Sequence, residues 1–166
     1  MVSGEMQLIK AVDKDIPEIA ALAEKIWKVH YPPIIGMAQV EYMLNIMYST
    51  EALLNQINAG QNFYFIRKEG KNIGYFGVSN DVPTELFIHK FYIDSESQGK
   101  GIGMQAFHLL IDMYPQCATA RLTVNRHNYK SINFYFKAGF VISEVKDFDI
   151  GEGYVMNDFI MIWKRK

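Results

Sequence analysis

Residues 96–107 read ESQGKGIGMQAF, with three glycines at alternate positions (99, 101 and 103) leading into an apolar run of helical spacing. Glycine loses more backbone freedom on ordering than any other residue, so three of them in the first turn of a helix imply a need for bare backbone. The preceding segment, TELFIHKFYI (84–93), has the composition and alternation of a strand, and ATARLTV (118–124) reads as another. Two strands joined by a helix from about residue 101 form a β-α-β unit, whose strands run parallel with a right-handed crossover. The glycines then lie at the carboxyl end of the first strand, where open α/β sheets bind ligands. A helix N-terminus at that point presents unpaired N–H groups and the positive end of its dipole. The run therefore reads as a phosphate seat.

Outward from this unit the chain alternates. MQLIKAV (6–12) is a first strand, and DIPE (15–18) has the form of a capping box, with Asp15 as N-cap and Glu18 three residues on. Ile16, Ile19, Ala20, Ala23, Ile26 and Trp27 follow at helical spacing, up to HYPP. A second helical stretch carries Val40, Met43, Leu44 and Met47, breaks at Ser49-Thr50, and resumes through Leu53, Leu54 and Ile57 to Gly60. NFYFIRKEGKNIGYFGVS (62–79) is two strands around KEGKN, which extend the meander to TELFIHKFYI. YKSINFYFKAGF is a short helix closed by Gly139, and strands near 140–147 and 155–163 follow. The order βααβββαβαββ defines an α/β fold with a mixed sheet, one domain over residues 1–166 in which the polar opening, residues 1–5, has no part.

Composition narrows the function. With 166 residues, 49% hydrophobic and 14% aromatic, the chain has apolar material for one core, and no linker divides it. A net charge of −1 lacks the basic excess that a nucleic-acid or membrane partner calls for. Lone Cys117 cannot close an internal disulfide, no His/Cys cluster has zinc spacing, and no signal-peptide pattern or long apolar run is present. A cytoplasmic protein without a metal is expected, and whether it pairs as a homodimer is left open.

Spacing then sorts the phosphate ligands. A P-loop needs a Gly five residues before its Gly-Lys pair and a Ser/Thr after the Lys, but Asp94 and Gly101 stand there. The dinucleotide fingerprint needs Gly-x-Gly-x-x-Gly directly after a strand, whereas this run is Gly-x-Gly-x-Gly after DSESQ. Gln98-Gly99-Lys100-Gly101-Ile102-Gly103 instead resembles the Gln/Arg-x-x-Gly-x-Gly/Ala loop of the GNAT N-acetyltransferase superfamily. NYKSINFYFKAGF (128–140) resembles a second family segment, Asn-x-x-Ala-(I/L)-x-(F/L)-Tyr-x-x-x-Gly-Phe, with Ser131 in place of the alanine. FIHKFYI, QGKGIG and the tail DIGEGYVMNDFIM are further similar to bacterial GNAT proteins of the PaiA polyamine-acetyltransferase type.

The resemblance implies acetyl-CoA as cofactor, its pyrophosphate held by residues 98–103, and direct acetyl transfer to an amine. It implies that Tyr135 lies near the coenzyme sulfur as general acid; a phenol with a reference pKa of about 10 stays protonated at neutral pH. A core tyrosine between Phe134 and Phe136 is the plainer alternative. Backbone N–H groups at Phe91, Tyr92 and Ile93 would polarise the thioester carbonyl, with Asn125, Asn128 and Ser131 along the coenzyme arm, although Asn also serves turns and caps. Some relatives carry a Glu where Phe87 stands. Alternation places Phe87, His89, Phe91 and Ile93 on one face, and certain arylalkylamine-acetylating relatives carry a histidine where His89 stands, so the resemblance implies His89 as candidate base, a satisfied core histidine being the alternative, with Glu85 of the same parity. The missing Glu leaves open a non-catalytic CoA-binding module, against which Tyr135 argues.

The acceptor is implied to lie between the first helices and the late hairpin. That points to IWKVHYPP, with Trp27 and Tyr31, and to segment 144–158, where Glu144, Asp147, Asp149, Glu152 and Asp158 face only Lys146. Asp147 and Asp149 would draw a small cationic amine such as a polyamine; an acidic solvated hairpin is the alternative. His30 and Tyr31 read either as a helix end under Pro32-Pro33 or as a lid. A protein or peptide N-terminus remains a second class of acceptor.

Overall fold

The computed structural model describes residues 5–166, so most of the opening segment assigned no role above lies outside the described residues. The strands are β1 (Met6–Lys10), β2 (Asn62–Lys68), β3 (Lys71–Ser79), β4 (Glu85–Ile93), β5 (Thr119–Asn125), β6 (Val141–Gly151) and β7 (Tyr154–Lys164). The helices are α1 (Ile16–His30), α2 (Pro32–Ile35), α3 (Met37–Tyr48), α4 (Thr50–Asn58), α5 (Ile102–Met113) and α6 (Tyr129–Ala138). One seven-stranded sheet has the order β1-β2-β3-β4-β5-β7-β6. Its neighbours are antiparallel except β4 and β5, which run parallel as the crossover requires.

Each face of the sheet carries its own core. On one, Ala106, Phe107, Leu110 and Ile111 of α5 pack on Ile66, Phe76, Leu86 and Leu122. On the other, Ile19, Ala23 and Trp27 of α1, Val40 of α3 and Leu53 of α4 pack on Phe63, Phe65 and Tyr75. Both sheet faces are thus apolar, which explains why β2 and β3 read as nearly continuous hydrophobic runs.

Three local readings change. Asp15 does not cap α1: its carboxylate turns back to accept Val12 N–H at 2.8 Å, closing a 3₁₀ turn over residues 13–15. The helical stretch gains a single turn, α2, where Pro32-Pro33 can start but not extend a helix, while Ser49 caps α4 by accepting Ala52 N–H at 3.1 Å. The third change concerns β4. Val78 pairs with Ile88 and Gly77 with Lys90, so His89 is the extra residue of a β-bulge. Alternation reverses there. Leu86 and Ile88 share the α5–α6 core with Phe91 and Ile93, whereas Lys90 and Tyr92 face the α1–α4 side. The expectation that Phe87, His89, Phe91 and Ile93 share one face is therefore corrected.

Candidate active site

Pairing between β4 and β5 stops at Ile88 and Leu122, although the strands continue to Ile93 and Asn125. Beyond that point β5 keeps β7 as its partner, ending on Asn125 opposite Asp158. The two parallel strands splay, and the side of β4 that faces β5 at Phe91, Tyr92 and Ile93 loses its ladder partner. Backbone polar groups left this way need another partner. Two cavities meet at the splay.

The smaller cavity, about 190 Å³, lies between α1, the 98–103 loop and α6, and is lined by Ile26, His30, Gln98, Gly99, Gly103, Lys130 and Phe134. Asp94 fixes the start of this loop through Lys25 at 2.7 Å and the Glu96 N–H at 3.2 Å. Gly99, Lys100 and Gly101 all have positive φ (96°, 56° and 75°), a region open to glycine and strained for most other residues. Gly103 serves differently: a Cβ there would lie 2.9 Å from the Phe134 ring. Among the described residues no side chain caps α5; Ile102 N–H is taken by Gly99 C=O at 3.2 Å, which leaves the next N–H groups of the first turn, Gly103 and Met104, for an anion. Gln98 holds the loop to β4 by donating to Ile93 C=O at 2.8 Å, and Lys130 bonds the Gln98 side chain. Lys130 adds a cation that the sequence did not single out.

The larger cavity, about 390 Å³, opens on the α1–α3 side and under the β6–β7 hairpin; Trp27, Tyr31, Phe87, His89, Lys90, Asn125, Asn128 and Asp158 are among its walls. The hairpin is held over it by Gln39, which donates to Val155 C=O at 3.2 Å, and by Tyr42 packed 5.0 Å from Tyr154. Phe91, Tyr92, Ser131 and Tyr135 line both cavities and mark their junction. Tyr135 is 8% exposed, and burial drives its phenol pKa further up, so it keeps its proton. Tyr31 is pushed up to about 12 by burial and shares a 3.0 Å hydrogen bond with Tyr92.

Asn125 and Asn128 are first of all structural. Asn125 accepts His127 N–H at 2.8 Å; Asn128, 3% exposed, caps α6 and meets His30 Nε2 at 3.1 Å. His30 lines the smaller cavity and Tyr31, directly after α1, the larger, so the end of α1 reaches both. His89 stacks on Phe87 at 4.3 Å and bonds Ser79 Oγ at 2.7 Å through Nε2. Although His89 is exposed, partial desolvation and the charge of Lys90 hold its pKa below the ordinary imidazole value, so the ring is neutral at pH 7.

The acidic hairpin divides in two. Asp147 is exposed and pairs with Arg126 at 2.8 Å, and Asp149 accepts Gly151 N–H at 2.9 Å; neither lines the cavity. Asp158, 5% exposed, does. Burial raises its carboxyl to about 6 against the opposing effects of Thr123 and Arg126. Lys90 is the other buried charge on this wall, 4% exposed. Neither residue was chosen from the sequence, because burial of one acid among five and of one lysine in a strand is a tertiary fact.

A splayed parallel pair, a helix without a side-chain cap behind a positive-φ loop and a buried phenol where two cavities meet are features that suit a phosphate-bearing group donor beside an acceptor. The acetyltransferase (GNAT) family profile matches residues 25–140, and the chain belongs to that family. It is an N-acetyltransferase that uses acetyl-CoA. Among solved structures, PaiA N-acetyltransferase from Thermoplasma acidophilum, in complex with coenzyme A, is 25% identical with a TM-score of 0.79, over 97% of this chain and 99% of that one. Ribosomal-protein-S18-alanine N-acetyltransferase from Escherichia coli shares the fold at 15% identity and TM-score 0.71, over 96% and 94%. Ard1 from Thermoplasma volcanium does so at 20% and 0.68, over 98% of both chains. No curated protein matches the sequence at a significant level. Among the described residues no helix is long and apolar enough to cross a membrane.

Proposed function

We propose that this enzyme acetylates the primary amine of a small cationic molecule by direct attack in a ternary complex, with the acceptor in the larger cavity and Asp158 opposite its ammonium. The observation that carries this reading is a carboxylate, 5% exposed, on the wall of a cavity that meets the cofactor side at Tyr135. A buried carboxylate is costly unless paired, and an ammonium supplies the missing charge.

Acetyl-CoA supplies an acetyl thioester, held by the 98–103 backbone, Lys130 and the free N–H edge of β4. Asp158, ionised above about pH 6, binds the acceptor's ammonium and takes its proton at a carboxylate oxygen. As the amine nitrogen bonds to the acetyl carbon, backbone N–H groups at Phe91 to Ile93 stabilise negative charge at the carbonyl oxygen; as the C–S bond breaks the Tyr135 phenol donates a proton to the departing sulfur, and the second proton shed by the nitrogen restores the phenol. His89, whose pKa lies below that of Asp158 and whose Nε2 is held by Ser79, shapes the cavity and is the poorer base of the two. Cys117 is fully buried, with Sγ directed to Pro83 C=O, and lines neither cavity, which favours direct transfer over an acetyl-cysteine.

A polyamine is the acceptor favoured by the resemblance to PaiA, and a peptide N-terminus is the class suggested by the ribosomal-protein enzyme. The roofed cavity favours a small molecule. Acetyl-CoA-dependent thiol release across polyamines, arylalkylamines, amino acids and peptide N-termini tests this. The expected result is turnover of at least one small amine, with kcat/KM at least about 100-fold above any peptide; efficient turnover of peptides alone would refute it.

A further inference from the structure

Lys90 is a buried lysine with no acidic partner among the described residues. It leaves β4 just after the bulge and passes beneath the larger cavity, with Nζ 5.1 Å from the Phe63 ring and 5.8 Å from the Tyr48 ring. Its Nζ donates to Gln56 Oε1 at 2.6 Å and Gln61 Oε1 at 2.8 Å. These are neutral acceptors. Gly77 makes room for the arrangement, since a Cβ there would lie 2.8 Å from Gln61 Oε1 and 3.2 Å from Lys90 Cδ. The Gln56 amide is spent on Met47 C=O at 2.8 Å, while the Gln61 amide nitrogen makes no such bond to a described residue.

A desolvated ammonium without a counter-ion is destabilising, and an apolar side chain would fill this aromatic bed at lower cost. Burial accordingly lowers its pKa to about 7. The cavity wall carries two buried ionisable groups: Asp158 on β7, partly offset by Arg126, and Lys90, bonded to the neutral Gln56 and Gln61 where α4 meets β2. A polyamine would satisfy the first and set its second ammonium against the second. Asp147 and Asp149, expected to hold that ammonium, are engaged by Arg126 and Gly151 N–H outside the cavity.

We propose that the acceptor carries a carboxylate as well as its amine, an amino-acid-like zwitterion whose carboxylate is bound by Lys90 and the Gln61 amide while its ammonium faces Asp158. This rests on the acceptor assignment above and narrows it. An arriving carboxylate gives Lys90 its missing counter-ion and keeps its third proton occupied, whereas a decarboxylated amine leaves that donor idle.

Calorimetric binding to the protein–CoA complex tests it without turnover, using four matched pairs: ornithine and putrescine, lysine and cadaverine, arginine and agmatine, tyrosine and tyramine. The expected result is at least one amino acid bound about tenfold or more tightly than its decarboxylated partner, with the ratio falling near one in Lys90→Met. That variant should melt no lower than wild type at pH 7, because it removes an uncompensated charge. Amino acids binding no tighter than the amines, or not binding at all, overturn the proposal, as does a preference that Lys90→Met leaves intact. Thiol release with the tightest amino acid separates the two readings: tight binding lost in Lys90→Met but without release shows a carboxylate site and overturns the assignment of that amino acid as acceptor, while thiol release with small amines in the same assay keeps the acceptor cavity.

Discussion

Tyr135 is a phenol on the wall of both cavities, and burial decides its chemistry. Raising its pKa makes ionisation harder, so at neutral pH it is a donor and never a base. Tyr135→Phe keeps the ring against Phe91, Phe134 and Phe140 and removes only the proton. We expect kcat to fall about tenfold or more, within the range for general acids, with little change in the KM for acetyl-CoA. Steady-state rates, with chemistry shown to limit, check this; an unchanged kcat would make Tyr135 a packing residue. Its motif was legible because the Asn128 cap, the helix and the Gly139 terminus (φ 105°) are local features of one short segment. Lys90 was not. In a strand read alone a lysine belongs to the solvated face, and only the glutamines of α4 and the start of β2 show that it is covered.

At the scale of elements, the loop from Gln98 to Gly103 and the bulge in β4 contrast in how they are encoded. The loop's backbone is dictated by its own residues: Gly99 and Gly101 at positive φ, Asp94 capping the turn before them. A valine at 101 would sit in a region that disfavours any L-residue by roughly 1–2 kcal/mol, and most a β-branched one. Gly101→Val should weaken acetyl-CoA binding about tenfold or more while far-UV circular dichroism stays unchanged. Unaltered affinity by calorimetry in the folded variant would remove the phosphate seat from this loop. The bulge, by contrast, exists only in register with β3, where Gly77 and Val78 skip His89. A period-two reading of β4 cannot see it, and so it placed His89 on the face of Phe91 and Ile93.

The whole molecule is built around the divergence of β4 from β5. With β7 inserted beside β5, the hairpin swings Asp158 to the larger cavity, opposite Asn125, while Asp147 and Asp149 stay outside. The sequence showed that acids gather in this segment, and hence its charge, but the choice among them depends on sheet order, strand register and the tethers Gln39 and Tyr42, which meet only on folding. This arrangement makes one group's titration the clearest reporter of the mechanism. Burial raises Asp158 from the ordinary carboxylate range to about 6, so the active ionised form is gained as pH rises through that value. The pH dependence of kcat/KM reports groups of the free enzyme. With the best small-amine acceptor, kcat/KM should climb between pH 5 and 7 with an apparent pKa near 6. In Asp158→Asn that limb should vanish, with the pH 7.5 value reduced about 100-fold or more and acetyl-CoA affinity retained. An Asp158→Asn enzyme that keeps both the limb and the wild-type kcat/KM would contradict the assignment of the acceptor site.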